Sequence, residues 1–213
     1  MRIPMSNDAP NGPGRPKDLA KREAILEAAK ALFLSLGYAN TSMDAVAAAA
    51  GVSKLTVYSH FTDKQTLFGS AVMATCQNQL PDLMFEYPEG AAVEEVLLTI
   101  GHSFQALISS DEAVKLSRLI MAQSSQDPGF GAYFYEAGPK RLLVGMEALL
   151  RRIDGCGLLR IANPLQAAEH FFSLVKGAPD YRLLLGCAGP LEGDEAEAHV
   201  REVVALFIRA FKA

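Results

Sequence analysis

The residues best suited to chemistry fall in one short stretch between Met43 and Phe61. Lys54 carries an ammonium, Thr56 and Ser59 carry hydroxyls, and Leu55 offers a branched apolar tip. A lysine can donate to guanine O6 or N7, and Leu55 and the Thr56 methyl can touch a thymine methyl, so the set suits base edges in a DNA major groove. Base reading needs a rigid platform, and the neighbouring small residues supply one. Ala47 lets two helices cross closely, Gly51 takes a positive φ in a tight turn at no steric cost, and Val52 and Val57 plug the wedge between the helices. Two short helices joined by a Gly-containing turn form the helix-turn-helix layout, with Lys54, Leu55, Thr56 and Ser59 facing outward at the start of the second helix. Taken alone, the same pair also describes an ordinary corner between two helices.

The elements that position this stretch follow from periodicity and caps. Residues 1–16 hold four prolines and two glycines with few large apolar groups, and read as a flexible arm. From Asp18 onward Leu19, Ile25, Ala28, Ala29, Leu32, Phe33 and Leu36 share one helical face, and Gly37 stops that helix. Thr41 or Ser42 caps the next helix, over about 42–50, with Asp44 in its first turn. A third helix runs from after Ser53 to about Phe61. Thr62 and Gln65 are spaced as a capping box for a fourth, which ends by Pro81. Further helices are expected at 91–109, 111–126, 128–155 with a possible break at Gly138 and Pro139, 164–177 and 194–212. No alternating strand pattern occurs, so the chain is expected to be all-α. We divide it into the arm (1–16), a three-helix DNA-binding domain (17–64) and a larger helical domain (65–213).

Composition frames the alternatives. The 213 residues carry net charge −4 at pH 7, which on its face argues against nucleic acid. The charge is uneven: residues 1–64 hold 8 basic and 6 acidic groups, net +2, and residues 65–213 hold 12 and 18, net −6. Signatures of a serine-hydrolase elbow, a P-loop, a zinc protease or a dinucleotide fold are absent. His60, His102, His170 and His199 are dispersed, so no enzyme, metal site or cofactor is expected. Cys76, Cys156 and Cys187 are odd in number and form no CxxC pair, which points to a reducing compartment. No run is long and apolar enough to span a membrane. A cytoplasmic, nucleoid-associated protein is expected.

Five blocks around the stretch share an order and spacing: Gly14-Arg15-Pro16, Gly37-Tyr38 with Thr41-Ser42, Ala50-Gly51-Val52-Ser53, Tyr58-Ser59-His60-Phe61, and Lys64-Gln65-Thr66-Leu67-Phe68. Together they make the first third of the chain resemble the TetR family of bacterial transcriptional regulators. That resemblance implies that Ser42, Thr56, Tyr58, His60 and Lys64 bind phosphates. It also implies that Lys54, Leu55 and Thr56, with Met43 at the edge, face the bases, and Ser53 and Ser59 are further DNA-binding candidates. Arg2, Arg15 and Lys17 suit either a minor-groove contact or a solvated tail. No Arg or Gln stands in the recognition helix, so selectivity is expected to lean on DNA shape.

The remainder, from Pro128-Gly129-Phe130 through Tyr133-Phe134-Tyr135 to Ala167-Ala168, resembles the AefR-like C-terminal domain. The resemblance implies a homodimer that binds a palindromic operator and is released by a small hydrophobic effector. Candidate pocket residues are Phe104, Ile108, Met121, Phe130, Tyr133, Phe134, Met146, His170 and Tyr181, each of which also fits plain core. Candidate dimer residues are Phe171, Phe172, Val175, Val200, Val204, Phe207, Ile208 and Phe211, which in a monomer would be ordinary core. A thiol-redox sensor and an activator of the same family are the alternatives.

Overall fold

The computed structural model describes residues 18–212 apart from Glu89, Gln126 and Asp127, with the side chains of Gln79 and Pro128 also outside the description. The expected arm, with Arg2, Arg15 and Lys17, lies outside the described residues. Among those described the fold is all-α, as expected. In chain order the helices are α1 (Leu19–Asn40), α2 (Met43–Ala49), α3 (Lys54–His60), α4 (Lys64–Gln79), α5 (Val93–Ser109), α6 (Asp111–Ser124), α7 (Pro128–Ala137), α8 (Pro139–Gly155), α9 (Pro164–Leu185) and α10 (Gly193–Ala210). A 3-10 turn at Asp82–Phe85 leads from α4 toward α5.

Local chemistry accounts for most boundaries. Asp18, Ser42, Ser53, Ser110 and Asn163 each cap a helix by accepting from backbone N–H groups in the first turn. The cap of α4 is Asp63, not Thr62, because its carboxylate accepts from the Thr66 N–H at 2.7 Å. α1 breaks at Gly37, whose φ of 80° and ψ of 164° favour glycine, and residues 38–40 add a last turn. The expected break between α7 and α8 is present. α9 extends beyond residue 177: Gly177 (φ 51°, ψ −162°) kinks it, and the helix resumes to Leu185. Pro179 has no N–H to offer the Val175 carbonyl, and His199 Nε2 meets that carbonyl at 2.8 Å instead.

Two apolar cores result. The smaller packs Ile25, Leu26, Ala29 and Phe33 of α1 against Met43, Val46 and Ala47 of α2, Val57 of α3 and Phe61. It continues past residue 64 through Leu67, Phe68, Ala71 and Val72 of α4 and takes in Ile120 of α6 and Phe130 of α7. Phe68 and Phe130 (5.0 Å between ring centres) join Phe33 and Tyr38 in one aromatic cluster. Leu19 and Leu36, expected on the buried face of α1, are exposed at its two ends. The larger core is built from α5, α8, α9 and α10. α5 lies directly on α10 because Gly101 has no side chain: a Cβ there would meet Val200 Cγ1 at 2.7 Å.

That packing corrects the expected dimer surface. Phe171, Phe172, Val175, Val200, Val204 and Phe207 are buried within the protomer, and Ile208 and Phe211 pack half-buried on the same core. The apolar stripes of α9 and α10 are covered by their own chain, that of α9 by α8 and α5 and that of α10 chiefly by α5. The large apolar residues exposed on those helices are Leu165, Tyr181, Leu185 and Leu206.

Candidate nucleic-acid interface

The turn between α2 and α3 closes by two backbone bonds, Gly51 N–H to the Ala48 carbonyl (3.2 Å) and Val52 N–H to the Ala47 carbonyl (3.0 Å). This is the Schellman pattern, and Gly51 at φ 64° supplies the left-handed residue that it needs. Ala47 and Val57 are buried at the crossing and Val52 is half-buried beside them. The outer side of α3 is thereby left clear. Leu55 is 80% exposed and Tyr58 44% exposed, with Lys54 and Ser59 also open and Thr56 and His60 half-buried.

The hydroxyls are held by local bonds. Ser53 Oγ accepts from the Thr56 N–H at 3.1 Å and lies 2.8 Å from Thr56 Oγ1. Ser59 Oγ donates to the Thr56 carbonyl. Ser42 Oγ accepts from the Ala45 N–H, which leaves its own O–H able to donate outward. The Lys54 ammonium lies 2.8 Å from Asp44 Oδ1 and 6.0 Å from the centre of the Tyr58 ring, and the Asp44 contact raises its pKa.

Two expected contacts fall elsewhere. Met43 is only 7% exposed and belongs to the smaller core, because the first turn of α2 packs that side chain inward. Lys64 turns back on α1: its ammonium donates to the Tyr38 carbonyl at 2.9 Å and to the Ala39 carbonyl at 3.4 Å, and sits 4.4 Å from the Tyr38 ring centre. A cation on carbonyls that end a helix is favourable, and burial lowers its pKa at the same time. In this structure Lys64 is a strut between α1 and α4.

A cavity of about 440 Å³ lies behind this head. Val72, Thr75 and Cys76 of α4 form one wall, and Phe104, Ile108, Ser117, Phe134, Leu142 and Phe172 are among the residues that close it. Glu169, Ser173 and Lys176 of α9 are exposed and line it as well. Of the expected pocket residues, Phe104, Ile108 and Phe134 line the cavity. Phe130 lies in the head's core, Tyr133 packs against Gly69 of α4, Met146 is buried in the larger core, and Met121, His170 and Tyr181 are exposed. The α4 wall was missed from sequence because the face α4 turns to the cavity is set by α5 to α9, not by its own pattern. Burial pushes the Cys76 thiol up to about 11, so it is held as a thiol, against a redox role.

Residues 25–71 match the family described as bacterial regulatory proteins, tetR family, and residues 95–213 match the AefR-like transcriptional repressor C-terminal domain. The chain belongs to the TetR family.

As a TetR-family transcriptional regulator it has similar relatives along nearly its whole length. A TetR-family regulator of Mesorhizobium loti is 31% identical in sequence, with 93% of this chain and 100% of that chain covered and a TM-score of 0.75. The flavonoid-responsive regulator FrrA is 31% identical over 92% of this chain and 98% of that one, with a TM-score of 0.74. YdeS of Bacillus subtilis, an HTH-type transcriptional regulator, is 28% identical over 93% of this chain and 92% of its own length. TetR-family membership carries DNA binding through the helix-turn-helix and makes the chain a regulator, not an enzyme. Among the described residues no helix is long and apolar enough to cross a membrane.

Proposed function

We propose that this TetR-family regulator is a repressor that binds a palindromic operator as a dimer and leaves it when a small apolar effector enters the cavity. In this reading Lys54, Leu55 and Thr56 meet base edges, while the Ser42, Tyr58 and Ser59 hydroxyls, Ser53 and His60 lie along the backbone. Residues 17–64 read DNA and residues 65–213 sense the effector and pair the protomers. The pairing surface falls to the exposed sides of α9 and α10, including Leu165, Tyr181, Leu185 and Leu206.

One observation carries the coupling. Phe68 on α4 and Phe130 on α7 stack beneath the helix-turn-helix, and the next turns of the same two helices, at Val72 and Phe134, line the cavity. An occupant that shifts α4 or α7 therefore moves the floor of the reading head. It releases DNA only to the extent that it prefers the shifted conformer. FrrA is described as flavonoid-responsive, and the Phe104, Phe134 and Phe172 rings suit a planar aromatic occupant, so that class is the first to try. The test is selection of duplexes from a random pool, followed by displacement of the selected duplex with flavonoids and, in parallel, fatty acids. An enriched inverted repeat released by a flavonoid is expected. No enrichment, or release insensitive to both classes, contradicts the reading.

A further inference from the structure

Asp44 is exposed in the first turn of α2, yet its carboxylate reaches across to α3 and holds Lys54, with Nζ 2.8 Å from Oδ1 and 3.0 Å from Oδ2. Neither helix needs this pair for its fold, because Ser42 already caps α2 and Ser53 already caps α3. Both side chains are well over half exposed, and ion pairs so exposed add little stability. The pair does remove the one lysine or arginine of α3 from general use. Residues 18–64 contain five lysines and arginines against five carboxylates, so this folded part has no net charge. Its other cations are also engaged: Lys21 on Asp18, Lys30 on Glu27, Arg22 over the Phe61 ring and Lys64 on the end of α1.

We propose that Asp44 is a specificity-determining residue, acting through Lys54 so that the two read a G·C base pair as a unit. A phosphate can attract the lysine but repels the carboxylate, so random DNA gains little from breaking or approaching the pair. A G·C pair in the major groove offers acceptors at guanine O6 and N7 beside a donor at cytosine N4. Lys54 donates to the first and Asp44 accepts from the second, so both charges are satisfied together. The inference rests on the DNA-reading role proposed above.

The test uses the full chain and its Asp44→Asn, Asp44→Glu, Lys54→Ala and Lys54→Ala/Asp44→Asn variants, each titrated with the selected duplex and with a random duplex over a range of salt. Asp44→Asn frees Lys54 for phosphate, so random-duplex binding tightens about fivefold and its log–log salt slope steepens by about 0.9. Preference for the selected duplex falls, and selection with this variant loses a G·C pair that the wild type enriches. Asp44→Glu keeps the wild-type behaviour. In the Lys54→Ala background Asp44→Asn has no such effect. Unchanged random-duplex affinity and slope in Asp44→Asn overturns the inference. So does equal tightening in the Lys54→Ala background, which would make Asp44 a bare repulsive charge. A wild type that enriches no sequence fails the DNA-reading role itself, and this inference with it.

Discussion

Replacing Lys64 by Met separates two jobs that a cation at this position can do. Met keeps most of the apolar stem and removes the ammonium. Lost with it are the bond to the Tyr38 carbonyl at 2.9 Å, the longer bond to the Ala39 carbonyl and the contact with the Tyr38 ring at 4.4 Å. A hydrogen bond to a charged group contributes about 1.5–3 kcal/mol and a partly exposed cation–π contact about 0.5–1 kcal/mol. Recovery of the ammonium's hydration cost in the variant offsets part of this. We expect Lys64→Met to cost about 2 kcal/mol, a fall in Tm of about 4–8 °C at fixed protomer concentration. Because the ammonium is committed to α1, the salt slope of DNA binding should hardly change. Denaturant unfolding and fluorescence anisotropy against salt read the two effects separately. An unchanged unfolding midpoint together with a slope lower by about 0.9 would refute the strut and restore a phosphate contact.

Other expectations follow from single contacts. Asp63→Ala removes the α4 cap and should cost about 1 kcal/mol in urea unfolding. The Asp63 pKa is lowered by its bonds to Thr66, so its contribution is full above the ordinary carboxylate pKa and is lost as pH falls through the lowered one. The variant should therefore lose less stability than wild type on acidification below about pH 4. With its thiol near 11, Cys76 is about one part in a thousand thiolate at pH 8. A disulfide-exchange reagent should titrate the exposed Cys156 and Cys187 quickly and Cys76 slowly, and three equally fast thiols would contradict its burial. Gly101→Ala should destabilise by about 1–3 kcal/mol although Ala is the better helix former, because the new Cβ meets the stiff Val200 side chain; a raised Tm would show that α5 and α10 can part freely.

What was legible in the sequence was local. Ala47, Gly51, Val52 and Val57 fix the helix-turn-helix through contacts within a dozen residues, and the serine caps of α2 and α3 act over three. Contacts across the fold were not legible. The stripes of α9 and α10 show that something covers them, but a partner and α5 satisfy the same pattern. Phe130 and Tyr133 read as pocket aromatics, whereas the packing of α7 on α4 assigns them to the head. Lys64 carries the residue type of a phosphate ligand, and only the turn after Gly37 reveals the carbonyls it serves. The overall acidity proved a poor guide for a related reason. The net +2 of residues 1–64 comes entirely from residues 1–17, and residues 18–64 are neutral.

The central claim is that α3 is the reading element, and Leu55 tests it most directly. At 80% exposure it supports nothing in the fold, so Leu55→Glu should leave the unfolding midpoint unchanged. Anisotropy titration of the selected duplex should then show binding weakened more than tenfold, since the substitution removes apolar contact and places a charge against DNA. Wild-type affinity in a variant with wild-type stability would contradict the account.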